Sequence, residues 1–510
     1  DAKVHSKEGS ASSGYSVDGA GGEDTPWVVV KEFVACSGSV DSLVIDERSV
    51  CLRGRMQVAS LGSDGVIRLW DGFLTKDWIE SQLRARESEY ATYGSLKVLV
   101  GSWNLDSCKP AELDDDGPGG TATADDAQFL GKWMATVEDP DIIVFGFQEL
   151  VDLESSKVNA KQILKVNPTK LKKAKSSAST DHRVKLWQDR LIRAVREYKP
   201  GIAYRVLQSV QLMGLFQVVF VKDSGVGGRV TNVRSSCVKT GLKGYHGNKG
   251  GIATRFIIDD TSFCFVNCHL AAHQKEVSAR NHDAAVILRD AKFDVGMYEH
   301  MFVNGGDGSM VLDHENIVWS GDLNYRLDLP REQVIQLVDQ RKWENLWEYD
   351  QLLQQMSTNP SFGLRGFREG PLSFAPTFKY DPGTDRYDTS EKRRIPAWCD
   401  RILYRGSISQ SSYIRFEAKI SDHRPIASSI TASVKHVDPT ACARVKAEIE
   451  VEAEKWFGEK VWVCKEDWLV GVTGVEREIV RRELAREREG GGGLVGGELR
   501  VVRDRVEGRG

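Results

Sequence analysis

Trp319-Ser-Gly-Asp-Leu-Asn-Tyr-Arg326 ends an apolar run with two polar side chains, Asp322 and Asn324. The segment from Asn316 to Ser320 has the apolar, β-branched composition of a buried strand. A carboxylate beside such residues is costly unless it is paired or bound to a metal ion. Polar side chains stand at similar junctions elsewhere in the chain: Asn104, Glu149, His269, Asp400, Asp422 and His423. We therefore expect these side chains to converge on one site.

Strand and helix patterns alternate through the middle of the chain. Apolar runs predict buried strands at residues 96–104, 141–147, 217–221, 251–258, 262–267, 316–320 and 401–404. Helical periodicity occurs between several of these runs, at residues 128–137, 184–198, 276–291 and 331–341. This mixture predicts an α/β fold in which a two-sheet β-sandwich is flanked by helices.

The two ends of the chain differ in composition from the middle. Residues 1–25 are rich in Gly, Ser and acids, which predicts disorder. A charged, amphipathic linker helix is expected at residues 76–93, before a main domain at residues 94–436. Residues 437–510 are expected to form a helix and a disordered, charged tail. Because the chain begins at Asp1 rather than Met, we expect it to be part of a longer protein.

Residues 26–75 carry short β-type runs that end in Gly62-Ser-Asp-Gly-Val-Ile-Arg-Leu-Trp-Asp71. This closing stretch resembles the turn and third strand of a WD-repeat propeller blade, because Asp-Gly favours a tight turn and the strand alternates apolar with polar residues. One blade cannot close a propeller, since each blade buries its faces against its neighbours. The segment is therefore either part of a propeller that begins upstream, which we favour, or a small β-cap.

The overall composition narrows the class of protein. Hydrophobic residues make up 41% of the 510 residues and the formal net charge is −4, which fits a globular protein and gives no sign of a nucleic-acid partner. None of the nine cysteines lies in a CxxC pair, so a zinc cluster is not expected. We expect the cysteines to be reduced thiols in a cytoplasmic protein. No apolar run approaches the roughly 20 residues that span a bilayer.

Two segments bear on membrane contact. Residues 155–180 contain seven lysines and no acidic residue, which fits either a solvated loop or a patch that meets an anionic membrane. The apolar stretch Val210-Gln-Leu-Met-Gly-Leu-Phe216 fits either packing in the core or contact with acyl chains. A peripheral association with the membrane surface is therefore an expectation.

Six motifs that contain the strand-end residues follow one another along the chain: Trp103-Asn104, Phe147-Gln-Glu149, Asn267-Cys-His-Leu-Ala-Ala-His273, Trp319-Ser-Gly-Asp-Leu-Asn-Tyr-Arg326, Pro396-Ala-Trp-Cys-Asp-Arg-Ile-Leu403 and Ser421-Asp-His423. Singly, such motifs have ordinary explanations, including a helix cap or an Asx turn. Their order and combination resemble the inositol polyphosphate 5-phosphatase family of the endonuclease/exonuclease/phosphatase superfamily. The resemblance runs from about Leu96 to Ile430 and implies a DNase-like fold. The β-type segment upstream makes the chain similar to members that join a WD-repeat propeller to the phosphatase.

The resemblance implies a Mg²⁺-dependent active site that removes the 5-phosphate from phosphoinositides. Mg²⁺ prefers oxygen ligands, and the match makes Glu149 its direct ligand, with Asn104 close by. Asp322 would orient or deprotonate the attacking water. Asn324 would hold the water and the phosphate in line, since phosphoryl transfer depends mainly on positioning and charge stabilisation.

The same match gives roles to the other strand-end residues. His423 would contact the phosphate, with Asp400 as the carboxylate partner that favours its imidazolium form. His269 would be a second donor to the phosphate. Asp422 would assist the metal ion or the water network.

Substrate-binding residues are also implied by the resemblance. Lys379, Lys392 and Arg394 match the segment of the family that holds the 4-phosphate, for which cationic side chains are suited. Some relatives have tyrosine where Phe378 stands, so one hydroxyl contact is absent here. Asn248 and Lys249, in the Gly-rich turn Gly244-Tyr-His-Gly-Asn-Lys-Gly-Gly251, would contact the region of the 1-phosphate.

Three alternatives remain open from the sequence. The core residues alone also fit other enzymes of the superfamily, namely a deoxyribonuclease, an abasic-site endonuclease or a sphingomyelinase, although the motif around Asp400 and the basic segment before it argue against them. A catalytically weak scaffold that binds through its propeller is a second alternative, but Glu149, Asp322 and His423 are all present. Soluble inositol phosphates share the head group of the lipids and stay open as substrates, because the sequence separates the two classes poorly.

Overall fold

The structure is a computed structural model that describes residues 39–46, 57–63, 67–71, 75–114, 122–151, 172–241, 246–295 and 308–489. The chain divides into two compact units. The larger unit spans Thr92–Val437, and the smaller one combines the described residues up to Ala91 with those from Asp438 onward.

The described residues contain fifteen strands and nine α-helices. The strands are β1 (Val40–Asp46), β2 (Gln57–Gly62), β3 (Ile67–Asp71), β4 (Ala91–Asn104), β5 (Ile142–Gln148), β6 (Tyr204–Leu212), β7 (Leu215–Lys222), β8 (Val230–Gly241), β9 (His246–Ile258), β10 (Thr261–His269), β11 (Asn316–Asp322), β12 (Arg368–Glu369), β13 (Asp400–Arg405), β14 (Ile408–Arg415) and β15 (Ile426–Val437). The helices are α1 (Thr75–Ala85), α2 (Ala124–Met134), α3 (Lys172–Tyr198), α4 (Val277–Asp290), α5 (Arg331–Asp339), α6 (Glu344–Trp347), α7 (Gln351–Thr358), α8 (Pro439–Thr473) and α9 (Arg477–Glu489).

Two six-stranded sheets form the larger unit. The first has the strand order β14-β15-β4-β5-β7-β6 and the second β12-β13-β11-β10-β9-β8. Alternate side chains of a strand point to opposite faces, and β5 shows the result. Ile142 and Val144 face the core between the sheets, where they join Phe265 of the second sheet. Phe145 and Phe147 face the helices outside. The predicted two-sheet α/β sandwich is confirmed.

Helices cover the outer face of each sheet. Trp133 of α2 stacks on Phe145 with ring centroids 4.3 Å apart, and Trp187 of α3 is buried against Phe147 with ring centroids 5.4 Å apart. Gly101 permits this packing, because a Cβ atom there would lie 2.3 Å from the Trp133 ring. On the other side, apolar residues of α4 and α7 bury the outer face of the second sheet. These helices pack on the two sheets, and the strand ends of those sheets carry the polar residues of the predicted site.

Strand register brings the polar ends together. β10 and β11 are parallel with His269 opposite Asp322, and β11 and β13 are antiparallel with Asp322 opposite Asp400. Gly321 lies next to Asp322 with φ +136°, and a Cβ atom there would be 2.0 Å from the Cys268 carbonyl oxygen. The close approach of β11 to β10 therefore requires glycine at this position.

The smaller unit contains the three-stranded antiparallel sheet β1-β2-β3. This sheet lies within residues 26–75, the segment expected to form part of a propeller blade, of which residues 26–38 lie outside the described residues. A propeller is not shown by a sheet of this size. In the same unit α1 lies against α8, and Arg86 forms an ion pair with Glu448.

Two predicted boundaries differ from the structure. The helix expected to continue to residue 93 ends at Ala85, and β4 begins at Ala91, where Thr92 and Tyr93 favour an extended chain. The tail expected to be disordered contains α9, in which Arg481 pairs with Glu466 of α8 at 2.9 Å. Residues 1–25 and 490–510 lie outside the described residues. Of the helices that the structure describes, none is long and apolar enough to cross a membrane.

Candidate active site

Asp322 is the central carboxylate of the polar cluster. It ends β11 and is almost completely buried. Its Oδ2 atom accepts a hydrogen bond from Asn104 Nδ2 at 3.0 Å and lies 3.2 Å from His269 Nε2. Its Oδ1 atom accepts a hydrogen bond from the backbone N–H of Asn324 at 3.0 Å. Four of the residues predicted from the sequence therefore meet at one carboxylate.

The charge of Asp322 is set by two histidines. Burial by itself raises the pKa of a carboxyl group. Here the neighbouring His269 and His423 outweigh burial and hold the pKa of Asp322 well below its ordinary value. Asp322 is consequently ionised and acts as a hydrogen-bond acceptor throughout the neutral range.

Glu149 completes a group of possible metal ligands. It follows β5 directly with φ +50°, and its side chain is 43% exposed. Its Oε1 atom lies 3.6 Å from His269 Nε2. Ligand atoms of Glu149, His269 and Asp322 all lie within 4.8 Å of one another, and within the described ranges no other such group was found. Two carboxylates with the Asn104 amide beside them suit a divalent cation that prefers oxygen ligands.

His423 and Asp400 form a buried pair. His423 Nδ1 lies 2.9 Å from Asp400 Oδ2, which also accepts a hydrogen bond from the Thr377 hydroxyl at 2.7 Å. Burial opposes the charged imidazole, but Asp400, helped by Asp422 and Asp322, raises the pKa of His423 to about 10. His423 is therefore an imidazolium at neutral pH, with Nε2 directed toward Asp322 at 4.0 Å.

The turn that carries His423 is tied to the end of β4. Ser421 Oγ donates a hydrogen bond to the Asn104 carbonyl at 2.8 Å and accepts one from the backbone N–H of His423 at 3.1 Å. Trp103 Nε1 donates a hydrogen bond to the His423 carbonyl at 3.1 Å. These bonds place the Ser-Asp-His turn against the end of β4.

Asp422 and Lys379 form an ion pair at the edge of the cluster. The Oδ1 atom of Asp422 also lies 3.8 Å from His423 Nε2. Lys249 contacts His269 Nε2 through its ammonium group. The cluster of carboxylates is therefore bordered by two lysines, which is the charge arrangement expected where a phosphate binds.

The other predicted substrate contacts are less directly connected. Lys392 is exposed and makes no hydrogen bond or ion pair with a described residue. Arg394 pairs with Asp388 at 3.4 Å. The side chain of Asn248, near the start of β9, lies outside the described part of the structure.

Three residues of the site were not found from the sequence. Thr377 binds Asp400, as described above. Arg326 donates to Asn324 Oδ1, although it was visible only as the last residue of a motif. Asp106 follows Asn104 by two residues, and burial together with the nearby Asp422 and Glu149 raises its pKa to about 7. The only sequence signal for Asp106 was its position two residues after a strand end. The sequence carries no signal for the Thr377 hydroxyl or the Arg326 guanidinium as partners of site residues.

Comparison with known proteins identifies the class. Residues 101–429 match the endonuclease/exonuclease/phosphatase family 2. The chain is 41% identical over 426 residues to a probable inositol polyphosphate 5-phosphatase of Schizosaccharomyces pombe, an alignment that covers 81% of this chain and 35% of the relative. It is 32% identical over 409 residues to human synaptojanin-2, covering 71% of this chain and 24% of the relative.

A solved structure agrees with this class. The inositol polyphosphate 5-phosphatase domain of a synaptojanin, in complex with inositol (1,4)-bisphosphate and a calcium ion, superposes with a TM-score of 0.58 at 32% identity, covering 77% of this chain and 99% of that one. The chain belongs to the inositol polyphosphate 5-phosphatase family of the endonuclease/exonuclease/phosphatase superfamily. It spans about a third or less of the length of the curated relatives described here.

Proposed function

We propose that this chain catalyses the Mg²⁺-dependent hydrolysis of the 5-phosphate of phosphoinositides, such as phosphatidylinositol 4,5-bisphosphate and 3,4,5-trisphosphate, and of soluble inositol polyphosphates with the same head group. The observation that carries the proposal is the buried cluster around Asp322. It combines an ionised carboxylate, an imidazolium at His423 and the ligand atoms of Glu149 and His269. The similarity to inositol polyphosphate 5-phosphatases supports the choice of phosphate ester.

Different residues have different roles in the proposed phosphoryl transfer. Asp322 orients the attacking water by accepting a hydrogen bond from it, since a carboxylate with a depressed pKa is a weak base. The Asn324 amide donates to a phosphoryl oxygen and keeps it in line with the water. His423 and His269 donate hydrogen bonds to the developing charge on the phosphoryl oxygens. Asp400 keeps the His423 imidazole charged and oriented.

Glu149 and Asn104 are the proposed metal-binding residues, with Asp422 assisting through the water network. When bound there, Mg²⁺ supplies positive charge that neutralises the scissile phosphate and the leaving oxygen. The partly exposed Glu149 carboxylate is suited to direct binding, because Mg²⁺ retains several water ligands.

Recognition of the rest of the head group is proposed for the basic residues around the cluster. Lys379, Lys392 and Arg394 would bind the 4-phosphate, and Asn248 and Lys249 the region of the 1-phosphate. The ammonium groups of Lys379 and Lys249 already border the cluster, which supports these two assignments most directly.

Substrates of this kind place the enzyme at the cytoplasmic surface of a membrane, to which it would bind peripherally. The antiparallel sheet β1-β2-β3 is proposed to belong to a WD-repeat-like blade through which a protein partner could bind. Removal of residues 39–71 should then leave hydrolysis of soluble substrates unchanged. Loss of that hydrolysis in a folded truncated protein would contradict this division of the chain.

The first test is phosphate release from a panel of soluble and lipid inositol phosphates, with Mg²⁺ and with a chelator. We expect Mg²⁺-dependent loss of the 5-phosphate only. Asp322→Ala and His423→Ala should reduce turnover by about three powers of ten or more without unfolding the protein. Asp339→Ala and His282→Ala, which change exposed residues on helices, serve as matched controls.

Two results would overturn the proposal. One is a folded wild-type protein that releases no phosphate from any member of the panel. The other is activity within a few-fold of wild type in Asp322→Ala, because the central carboxylate would then have no part in the reaction.

A further inference from the structure

The side-chain amide of Asn324 is held on both sides. Arg326 Nη2 donates a hydrogen bond to Asn324 Oδ1, and Arg326 Nε donates one to the Asn324 carbonyl at 2.9 Å. On its other side, Asn324 Nδ2 donates to the Leu270 carbonyl at 3.2 Å. Leu270 directly follows His269, and the backbone N–H of Asn324 is bonded to Asp322. The amide therefore lies between the two strand ends of the cluster.

These partners fix which end of the amide faces which neighbour. A guanidinium group can only donate hydrogen bonds, so the atom that meets Arg326 must be the amide oxygen. A backbone carbonyl can only accept, so the amide nitrogen must face Leu270. One of the two Nδ2 hydrogens is used there, and within the described residues the second has no acceptor. Asn324 can therefore offer a hydrogen-bond donor to a ligand, while its acceptor is occupied.

Arg326 is itself well supported. It is 5% exposed, and its guanidinium carbon lies 4.5 Å from the centroid of the Phe378 ring. Another neighbour of this ring is the imidazole of His423, with centroids 4.5 Å apart. The backbone N–H of Arg326 donates to Gln351 Oε1 at 2.9 Å, so the loop has an anchor that is independent of the arginine side chain.

We propose that Arg326 is a positioning residue for the hydrolysis, an inference that rests on the proposed function. Its guanidinium holds the Asn324 amide so that Nδ2–H, and not Oδ1, faces the reacting phosphate. Without this contact the amide can rotate and direct a lone pair at an anionic phosphoryl group. Phe378 keeps the guanidinium in place by covering its face.

A double-mutant cycle tests the inference. We expect Arg326→Met, which retains an apolar stem but no donor, to lower kcat by about 10- to 100-fold with KM changed by less than about 3-fold. In an Asn324→Ala background the same substitution should cause almost no further loss, because the group that it positions is gone. Multiplicative losses in the double variant would overturn the inference, since Arg326 would then act on the substrate or on the fold.

Arg368→Met is the matched control. The Arg368 guanidinium also lies over an aromatic ring, 5.0 Å from the centroid of Tyr404, but away from the cluster. Its removal should leave kcat within about 2-fold of wild type. If Arg326→Met is unstable, Arg326→Lys keeps the charge and loses the two-pronged contact, and the same cycle applies.

A structural measurement separates this inference from the proposed function. In a neutron crystal structure of Arg326→Met, which distinguishes the amide oxygen from the amide nitrogen, we expect the Asn324 amide to be rotated or in two orientations. An unchanged amide with its bond to Leu270 intact would overturn the inference even if the enzyme is active. Inactivity of the wild-type protein on every inositol phosphate would instead overturn the proposed function, and the amide orientation would still be decided by the crystal structure.

Discussion

The charge on His423 depends on one buried carboxylate. Asp400 Oδ2 lies 2.9 Å from His423 Nδ1, whereas the carboxylates of Asp422 and Asp322 lie 3.8 and 4.0 Å from Nε2. Burial disfavours the imidazolium, and Asp400 is the largest of the influences that oppose burial and raise the pKa of His423 to about 10. Asp400→Asn removes this charge while keeping a side chain of nearly the same size. We expect the pKa of His423 to fall to about 6.5, its ordinary value, or below.

The size of the effect follows from the fraction of imidazolium. At pH 8 an imidazole with a pKa of about 10 is almost completely charged, whereas one with a pKa of about 6.5 is only about 3% charged. If hydrolysis needs the imidazolium, Asp400→Asn should lose about 30-fold in kcat at pH 8 and less than about 2-fold at pH 6. In the wild-type protein the same decline should appear only as the pH rises through about 10.

The assay is the pH profile of kcat with a soluble inositol trisphosphate and saturating Mg²⁺ at every pH, so that vesicle charge does not contribute. Thr377→Val is the control, because it removes the other hydrogen bond to Asp400 Oδ2 and leaves the carboxylate charge in place. Its profile should keep the basic limb of the wild type. An Asp400→Asn profile that is merely scaled down, with its basic limb unmoved, would refute the reasoning.

Three further predictions concern the strand contact, the metal site and the head group. Gly321→Ala should lower the free energy of unfolding by about 3 kcal/mol or more in chemical denaturation, because the added Cβ would lie 2.0 Å from the Cys268 carbonyl oxygen. Gly366→Ala is the control, since a Cβ there meets nothing within 4 Å, and it should change the free energy of unfolding by less than about 1 kcal/mol. Equal effects of the two substitutions would contradict the role of close strand contact. Glu149→Gln should raise the Mg²⁺ concentration for half-maximal activity at least about 10-fold, as measured by metal titration, and an unchanged titration would remove Glu149 from the ligands. Lys392→Ala should raise KM for substrates that carry a 4-phosphate by roughly 10-fold or more and leave others less affected, and equal changes on both substrate classes would refute that assignment.

Much of the fold could be predicted from the sequence because the relevant signals are local. Strands such as β5 and β11 are unbroken apolar runs, and their buried cores are visible as composition. Polar residues that end those runs, including Asp322, Glu149 and His269, were identified because a buried carboxylate or imidazole needs a partner. The boundaries of α1 and the existence of α9 were predicted less well, since helix ends depend on contacts made elsewhere in the unit.

Contacts between distant parts of the chain could not be read from the sequence. The link of Ser421 to Asn104 joins residues more than 300 positions apart, and the link of Arg326 to Phe378 joins two separate loops. Such contacts depend on sheet register and on how the sheets stack, which composition does not specify. They are nevertheless the contacts that orient the reacting groups.

The sequence by itself determined the residue types of the site, their place at strand ends and the family to which they point. Only the tertiary structure decided which carboxylate is central and that His423 is held in its charged form. Asp322 lies near two histidines and has a depressed pKa, while Asp400 contacts His423 and keeps its imidazole protonated. The physical reason is that protonation and hydrogen-bond direction are set by neighbours within about 4 Å, and those neighbours are brought together only when β4, β10, β11 and β13 pack side by side or face to face.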